Sequence, residues 1–366
     1  MEAVTIGIDL GTTNTLACYM KKGKPTLFKF DGDKMLPSML YVEKNGNFII
    51  GHAAKVKGEG DPDNLIRSSK TFMGDPEKYW EQRGLSLTPT DVATEILRQV
   101  KTTVLKKLKK DDDTIVKAVI TVPAYFSGKQ KTETKKAGEQ AGFEVLRIIT
   151  EPMAAAVAAG RTKELYGKLL VVDIGGGTYD LSILEANPQA EEYEAIDTDG
   201  DHHLGGDDFD ALLYQYFLDR LSEKTGIDFS SLSACGLTES DYGSLRGRLY
   251  SVVEGTKRAL SESTEKEVSI TNLFPYKGVP YTFDIIVDRD QFDDICQGLY
   301  DKITTRLQKF LKRQPSSLRP IDNVILAGGS CYIPRIRMEV EKLVNQKVDT
   351  ELSLDTLVVI GACIVA

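Results

Sequence analysis

Two hydrophobic periods alternate along the chain. Short apolar runs broken by Gly, Asp and Thr give way to longer stretches in which apolar positions recur every three or four residues, which separates strands from helices. Ile115 to Val122, Val145 to Ile149 and Asn323 to Ala327 read as strands. Ser127 to Ala141 reads as a helix capped by Ser127, and Pro152 to Ala159 as a helix with Pro in its first turn. Asp207 to Lys224 and Ile333 to Val344 are further helices. Thr90 to Lys110 places Val92, Ile96, Val100, Val104 and Leu108 on one face. Its Lys106, Lys107, Lys109 and Lys110 gather at the C-terminal end, where cations favour the helix dipole. Ser240 to Ser261 is a second long helix, and spacings of three and four put Glu254, Lys257, Arg258 and Ser261 on one of its faces. Strands alternating with helices predict an α/β protein whose helices cover a sheet.

One pattern occurs twice. Ile6-Gly-Ile-Asp9-Leu-Gly11-Thr12-Thr13-Asn14 and Val171-Val-Asp173-Ile-Gly175-Gly176-Gly177-Thr178 are each an apolar strand ending in Asp, followed by a Gly/Thr turn and a second strand. The second strands are Thr15 to Met20 and Leu181 to Glu185. The two aspartates are 164 residues apart, far beyond the roughly 20 to 50 residues of a solenoid repeat. The spacing therefore predicts two similar domains whose hairpins face a shared cleft.

Length agrees, because 366 residues exceed the roughly 250 to 300 at which a single core stops growing. With 41% hydrophobic and 27% charged residues, two cores can be filled while the surface stays polar. A net charge of -8 argues against nucleic acid or a membrane surface as partner, so an anionic ligand has to be met by local donors. No run approaches the length of a membrane span, and no basic flank precedes the apolar run at the N-terminus. The expectation is a cytoplasmic monomer. Cys18, Cys235, Cys296, Cys331 and Cys363 are scattered without a CxxC pair, which suits buried small hydrophobes better than a disulfide framework or zinc site.

The chemistry points to phosphate. Gly/Thr turns present backbone N–H groups where missing side chains admit a phosphate, and Thr12, Thr13 and Thr178 add hydroxyls. Asp9 and Asp173 beside them would repel an anion unless a cation intervened, which implies magnesium held largely through water. A second acidic group, Asp197, Asp199, Asp201, His202, His203, Asp207 and Asp208, lacks the glycine of a calcium loop and the spacing of a zinc site.

Seven segments then carry a resemblance: IGIDLGTTNT (6 to 15), TVPAYF (121 to 126), RIITEPMAAAVAAG (147 to 160), VVDIGGGTYD (171 to 180), HLGGDDFD (203 to 210), EGTKRALSES (254 to 263) and LAGGSCYIP (326 to 334). Together they resemble the nucleotide-binding domain of the seventy-kilodalton heat-shock chaperones of DnaK type, from one end of the chain to the other. The resemblance implies an actin-like, ribonuclease-H-like duplicated fold, with two lobes around a nucleotide cleft. The first lobe would span residues 1–165, with an outer part about 31–90, and the second residues 166–366, with an outer part about 207–287. It implies slow hydrolysis of ATP to ADP and phosphate with Mg2+ and K+. Gly11, Thr12, Thr13, Asn14, Gly175, Gly176, Gly177 and Thr178 would hold phosphates, with Gly205 and Gly206 passing alongside. Asp9 and Asp173 would organise the metals. Lys70 would act at the γ-phosphate, with Glu151 orienting water and metal and Asp180 holding a water nearby. Glu254, Lys257 and Ser261 would take ribose and adenine edges, and Arg258 would stack on the base. Gly328, Gly329, Ser330, Tyr332 and Asp355 would form the opposite wall.

The departures also carry expectations. Only 19 residues separate Lys70 from Thr90, so the outer part of the first lobe reads as trimmed, as in shorter paralogues of the HscC type. Lys131 and Thr150 replace the family's usual Arg and Asn, whereas Arg147 is kept. Tyr332 stands in place of a second stacking arginine. The family's linker and peptide-binding sandwich lie outside this sequence, whose last residues form an apolar helix, Leu357 to Ala366, an end that suggests deliberate trimming. A J-domain co-chaperone and a nucleotide exchange factor are the implied partners, with unfolded peptide reached only through the absent domain. A small-molecule kinase or an actin-like assembly ATPase on the same fold is the alternative.

Overall fold

The computed structural model describes residues 3–162, 165–187, 192–315, 320–348 and 353–366. Two mixed sheets organise it. In the first, Ala3–Leu10 pairs antiparallel with Asn14–Lys21, which pairs with Lys24–Leu27 and Leu36–Pro37. On its other side Ala3–Leu10 runs parallel to Ile115–Val122, and that strand parallel to Glu144–Thr150. In the second, Gly167–Ile174 pairs antiparallel with Tyr179–Asn187, which pairs with Glu192–Asp201, and runs parallel to Asn323–Ala327. The repeated sequence thus has a structural counterpart: in each sheet a hairpin continues antiparallel on one side and parallel on the other. Three small sheets lie outside these, among them Glu265–Tyr276 with Val279–Asp288, and Trp80–Gln82 with Leu85–Leu87.

The central strands are buried on both faces, which is why they read as continuous apolar runs. Ile6, Ile8, Ile120 and Val122 pack with Val92, Ile96, Val100 and Val104 of the helix Pro89–Leu108. Leu170, Val172, Ile174 and Leu181 pack with Phe209, Leu213 and Phe217 of the helix Gly206–Thr225. A third apolar layer joins the two sheets. Helix Glu151–Gly160 buries Ala154, Ala155, Ala156, Ala158 and Ala159, and it packs with Leu357, Val358 and Ala362 of helix Leu357–Val365. Alanines on both faces let backbones approach closely, so a larger side chain such as Ala155→Leu should cost about 1 to 3 kcal/mol in overpacking.

Element types match the hydrophobic pattern, and the ends are decided by capping. The helix expected from Thr90 begins at Pro89 because Thr88 and Asp91 form a reciprocal cap; it ends at Leu108 because Lys109 turns left-handed, with φ 54°. Lys110 therefore lies beyond the helix. The helix expected from Ser240 spans Glu239–Glu262, capped by Thr238. Among the described residues no helix is long and apolar enough to cross a membrane.

Candidate active site at the meeting of two hairpins

The two Gly/Thr turns touch. A Cβ on Gly176 would lie 1.6 Å from Thr13 Oγ1, and one on Gly177 would lie 2.8 Å from Thr12 Cγ2. Only glycine permits that approach at these two positions, whereas a Cβ on Gly175 would meet nothing closer than 3.6 Å. The second turn is closed by the Gly175 amide donating to the Thr178 carbonyl at 2.9 Å. Behind it, the amides of Gly206 and Asp207 donate to the carbonyls of Gly175 and Gly176, and the Ser330 hydroxyl donates to Gly175 at 2.8 Å. A cleft of about 430 Å3 opens beside the turns, within the range of small-molecule sites.

Its floor is acidic and largely buried. Asp9 stands at the end of one hairpin strand, and Asp173 and Asp180 are register partners in the other. Glu151 opens its helix ahead of Pro152. Lys70 sits in the short turn Ser69–Phe72, set by left-handed Ser68 (φ 53°). The Lys70 ammonium donates to Glu151 Oε1 at 2.5 Å, with both residues 6% exposed. Four carboxylates therefore surround one ammonium. Burial, then the Glu151 charge, pushes Asp9 up to about 7, despite a hydrogen bond from Thr121 at 3.1 Å. Burial and Glu151 also raise Asp173 and Asp180 well above the ordinary carboxylate range. Burial alone would lower Lys70, but Glu151 and Asp9 outweigh it and hold the ammonium above its usual value. Both Asp180 oxygens are buried without a well-formed hydrogen bond, and the Ala124 backbone only weakly opposes the upward push of burial.

The other end of the cleft is closed by ion pairs from the first sixty residues. Lys55 binds Glu254 at 2.6 Å, and Lys34 binds Asp355 at 2.8 Å. Burial would raise both carboxyls, yet these lysines bring them below their ordinary values. Lys257 is buried, donating to the Gly206 carbonyl and to Asp210, each at 2.9 Å. Arg258 extends toward solvent, its nearest carboxylate, Glu254, 3.9 Å away. Tyr332 is half-exposed; its hydroxyl donates to Asp355 at 3.2 Å and accepts from the Leu354 amide at 3.0 Å.

Nearly every predicted site residue lines this cleft: Asp9, Gly11, Thr12, Thr13, Asn14, Lys70, Glu151, Asp173, Gly175, Gly176, Thr178, Gly206, Glu254, Lys257, Arg258, Ser261, Gly328, Gly329, Ser330, Tyr332 and Asp355. Gly177, Gly205 and Asp180 stand behind the wall, Gly177 against Thr12, Gly205 against the Gly176 carbonyl and Asp180 beside Asp173 in the ladder. Sequence reasoning missed Lys34 and Lys55, which carried no motif signal of their own, and gave no role to Asp210, the last residue of HLGGDDFD. It also grouped Asp207 with the acidic loop, whereas Asp207 lines the cleft, accepting from Thr13 Oγ1 at 3.2 Å and from Ser68 Oγ at 2.5 Å. The remaining loop acids have other partners: Asp197, Asp199 and Asp201 pair with Arg306 and Arg313. Among the described residues no three ligand side chains are grouped closely enough to hold an ion directly.

These features define a class: an α/β protein with two sheets whose facing Gly/Thr hairpins roof a set of buried carboxylates. Comparison makes it specific. The family model described as Hsp70 protein matches residues 5–82 and 77–366. Chaperone protein dnaK of Cyanophora paradoxa is 34% identical over 99% of this chain and 60% of its own length. The stromal 70 kDa heat shock-related protein, chloroplastic, of Pisum sativum and the heat shock 70 kDa protein 6, chloroplastic, of Arabidopsis thaliana are each 33% identical over 99% of this chain and 52% of their own. The chain belongs to the Hsp70 family. It spans between half and three fifths of the length of these relatives.

Proposed function

We propose that this chain binds ATP in the cleft and hydrolyses it slowly to ADP and phosphate, dependent on Mg2+ and aided by K+. The observation that carries the reading is the floor: buried Glu151 and Asp173 with half-buried Asp9 line it around the Lys70 ammonium, Asp180 is buried beside Asp173, and two turns of backbone donors lie above. Such a floor rejects a phosphate chain unless cations accompany it. The Asp180 oxygens, which lack a well-formed hydrogen bond, fit that need together with Asp9 and Asp173. Bound Mg2+ would neutralise charge on the β- and γ-phosphate oxygens, with Asp9 and Asp173 holding it largely through water.

The chain's own residues then divide the work. Gly11, Thr12, Thr13, Asn14, Gly175, Gly176, Gly177 and Thr178 orient the phosphates, and burial of the floor excludes bulk water. Lys70 stabilises charge developing on the γ-phosphoryl oxygens and Glu151 accepts a hydrogen bond from the attacking water. Glu254, Lys257, Arg258 and Ser261 on one side and Gly328, Gly329, Ser330, Tyr332 and Asp355 on the other hold the nucleoside. In this reading residues 1–165 and 166–366 are two actin-like lobes. The whole protein is a chaperone whose nucleotide state is coupled to peptide binding, with a J-domain protein and an exchange factor as partners, the latter gripping the outer part of the second lobe, about Asp207 to Tyr281. We place it in the cytoplasm; the chloroplastic names belong to the relatives. Calorimetric titration with ATP and ADP beside a single-turnover hydrolysis assay tests the proposal. Hydrolysis that survives removal of divalent metal by chelation refutes it.

A further inference from the structure

All five cysteines are free and buried, yet they are not equivalent. Cys235, Cys296 and Cys331 belong to the apolar core around the second sheet. Cys18 and Cys363 form a separate small cluster with Leu16 and Val359, flanked by Leu27 and Met35. Cys18 lies on strand Asn14–Lys21, directly opposite Gly7 in the antiparallel ladder. Gly7 is also where helix Leu357–Val365 is laid onto the sheet: a Cβ there would stand 2.2 Å from the Cys363 nitrogen and 2.6 Å from its Cα. The missing side chain thus brings the helix backbone against the strand at the position flanked by both cysteines. The two residues are 0% and 2% exposed.

We propose that Cys18 and Cys363 are a dithiol site which a peroxide converts to a disulfide, covalently joining the strand to the helix. The neighbouring polar groups favour an unequal pair. A hydrogen bond from Cys18 holds the Cys363 thiol below its ordinary value against the effect of burial, with help from the Gly7 backbone; the same bond, then burial, pushes Cys18 up. Either sulfur can start the exchange, and the steps are the same with Cys363 first. Its thiolate attacks one peroxide oxygen, the O–O bond breaks, and a sulfenic acid forms with release of water. Cys18 then attacks that sulfur, the S–O bond breaks, and a second water leaves carrying the remaining proton. Two electrons pass from the thiols to the peroxide, which becomes two waters. Because both sulfurs are covered, the rate follows local opening of the helix.

The consequence reaches the cleft. Leu16, two residues before Cys18, and Val358, five before Cys363, both line it, so the bond would join two elements of its wall. The inference itself rests on the thiols and not on nucleotide binding. The simpler role for both residues is that of small apolar side chains in a packed seam, and experiment separates the two.

The native full chain is exposed to hydrogen peroxide, unfolded, and its thiols are counted and mapped by mass spectrometry. The expected count falls from five to three, with a cross-linked peptide containing Cys18 and Cys363 that reducing agent cleaves. Cys235→Ser should fall from four to two, whereas Cys18→Ser should stay at four apart from sulfenic acid at Cys363. Loss of any other pair, or a count that stays at five after hydrogen exchange shows that the helix has opened, overturns the proposal. If Cys18→Ser does not fold, the map of the unsubstituted protein decides alone.

Discussion

Replacing Lys70 with methionine should leave Glu151 buried beside Asp9, Asp173 and Asp180 with no cation. The pair is 2.5 Å long and both partners are 6% exposed, so solvent screens it little. Breaking such a buried pair from one side costs about 3 to 5 kcal/mol, because a charge is stranded. Replacing both partners, as in Lys70→Met/Glu151→Gln, should recover most of that loss, giving a coupling on the order of 2 kcal/mol or more between the two positions. The assay is urea unfolding at pH 8 in chelator without nucleotide, comparing the first cooperative transition for wild type, both single variants and the double variant. Single effects that add to within about 0.5 kcal/mol would show that Lys70 and Glu151 do not depend on one another and refute the argument. The same variant separates catalysis from binding. Lys70→Met should slow single-turnover hydrolysis about 100- to 1,000-fold, while ADP and ATP affinity stay within roughly tenfold. If affinity fell as far as rate, the lysine would be a ground-state phosphate ligand.

Without metal or nucleotide, stability should fall as pH rises from about 5.5 to 8. Asp9 is raised to about 7 and Asp210 to about 6 by burial, so the folded state keeps protons that the unfolded chain has already released, and each group contributes less stability above its folded value. His202, lowered by burial, works weakly the other way; urea midpoints that rise across this window would contradict the prediction. Tyr332→Ala should weaken ADP binding by about 1 to 3 kcal/mol if the ring stacks on the base, and Tyr332→Phe, which keeps the ring but loses its ties to Asp355 and Leu354, should retain most of the affinity; equal ADP affinity for all three forms in calorimetry would make the ring purely structural. Lys55→Ala removes one ion pair across the cleft mouth and should speed ADP release about two- to fivefold, the scale of a partly exposed pair, as read by displacement of a fluorescent analogue.

Much of this was legible because the apolar runs are long and both periods are clean. Strand Asn323–Ala327 coincides with its apolar run, and the repeated Asp and Gly/Thr pattern marked the two hairpins before any pairing was known. Helix ends were less legible, since Thr88 and Thr238 act through caps that lie outside the periodic stretch. Lys34 and Lys55 were invisible for a deeper reason. Each is a lysine in a surface segment without periodicity, and its role depends on a carboxylate some 200 to 320 residues later in the chain. Asp207 was misplaced because it was grouped with four other acids, and only the fold turns it toward Thr13 and Ser68 while arginines take Asp197, Asp199 and Asp201.

The floor of the cleft is costly to fold and is also the part on which the proposed chemistry depends. Asp173 and Asp180 stay buried, and Asp9 half-buried, although among the described residues the positive charge acting on them is that of Lys70, which already belongs to Glu151. A sequence selected for stability alone would place neutral or apolar residues there, since unpaired buried carboxylates oppose folding. Their presence makes sense if a cation bound with the phosphates completes the set, so that ligand binding relieves a cost carried by the empty protein. Asp180→Asn separates the two effects. Both Asp180 oxygens lack a well-formed hydrogen bond, so removing the charge should stabilise the metal-free protein while reducing the stabilisation that Mg2+ and ADP confer. A gain in the first with no loss in the second would mean that Asp180 is a liability without a role; a loss of stability in the metal-free form would mean that the carboxylate has a partner which the geometry of the floor does not reveal.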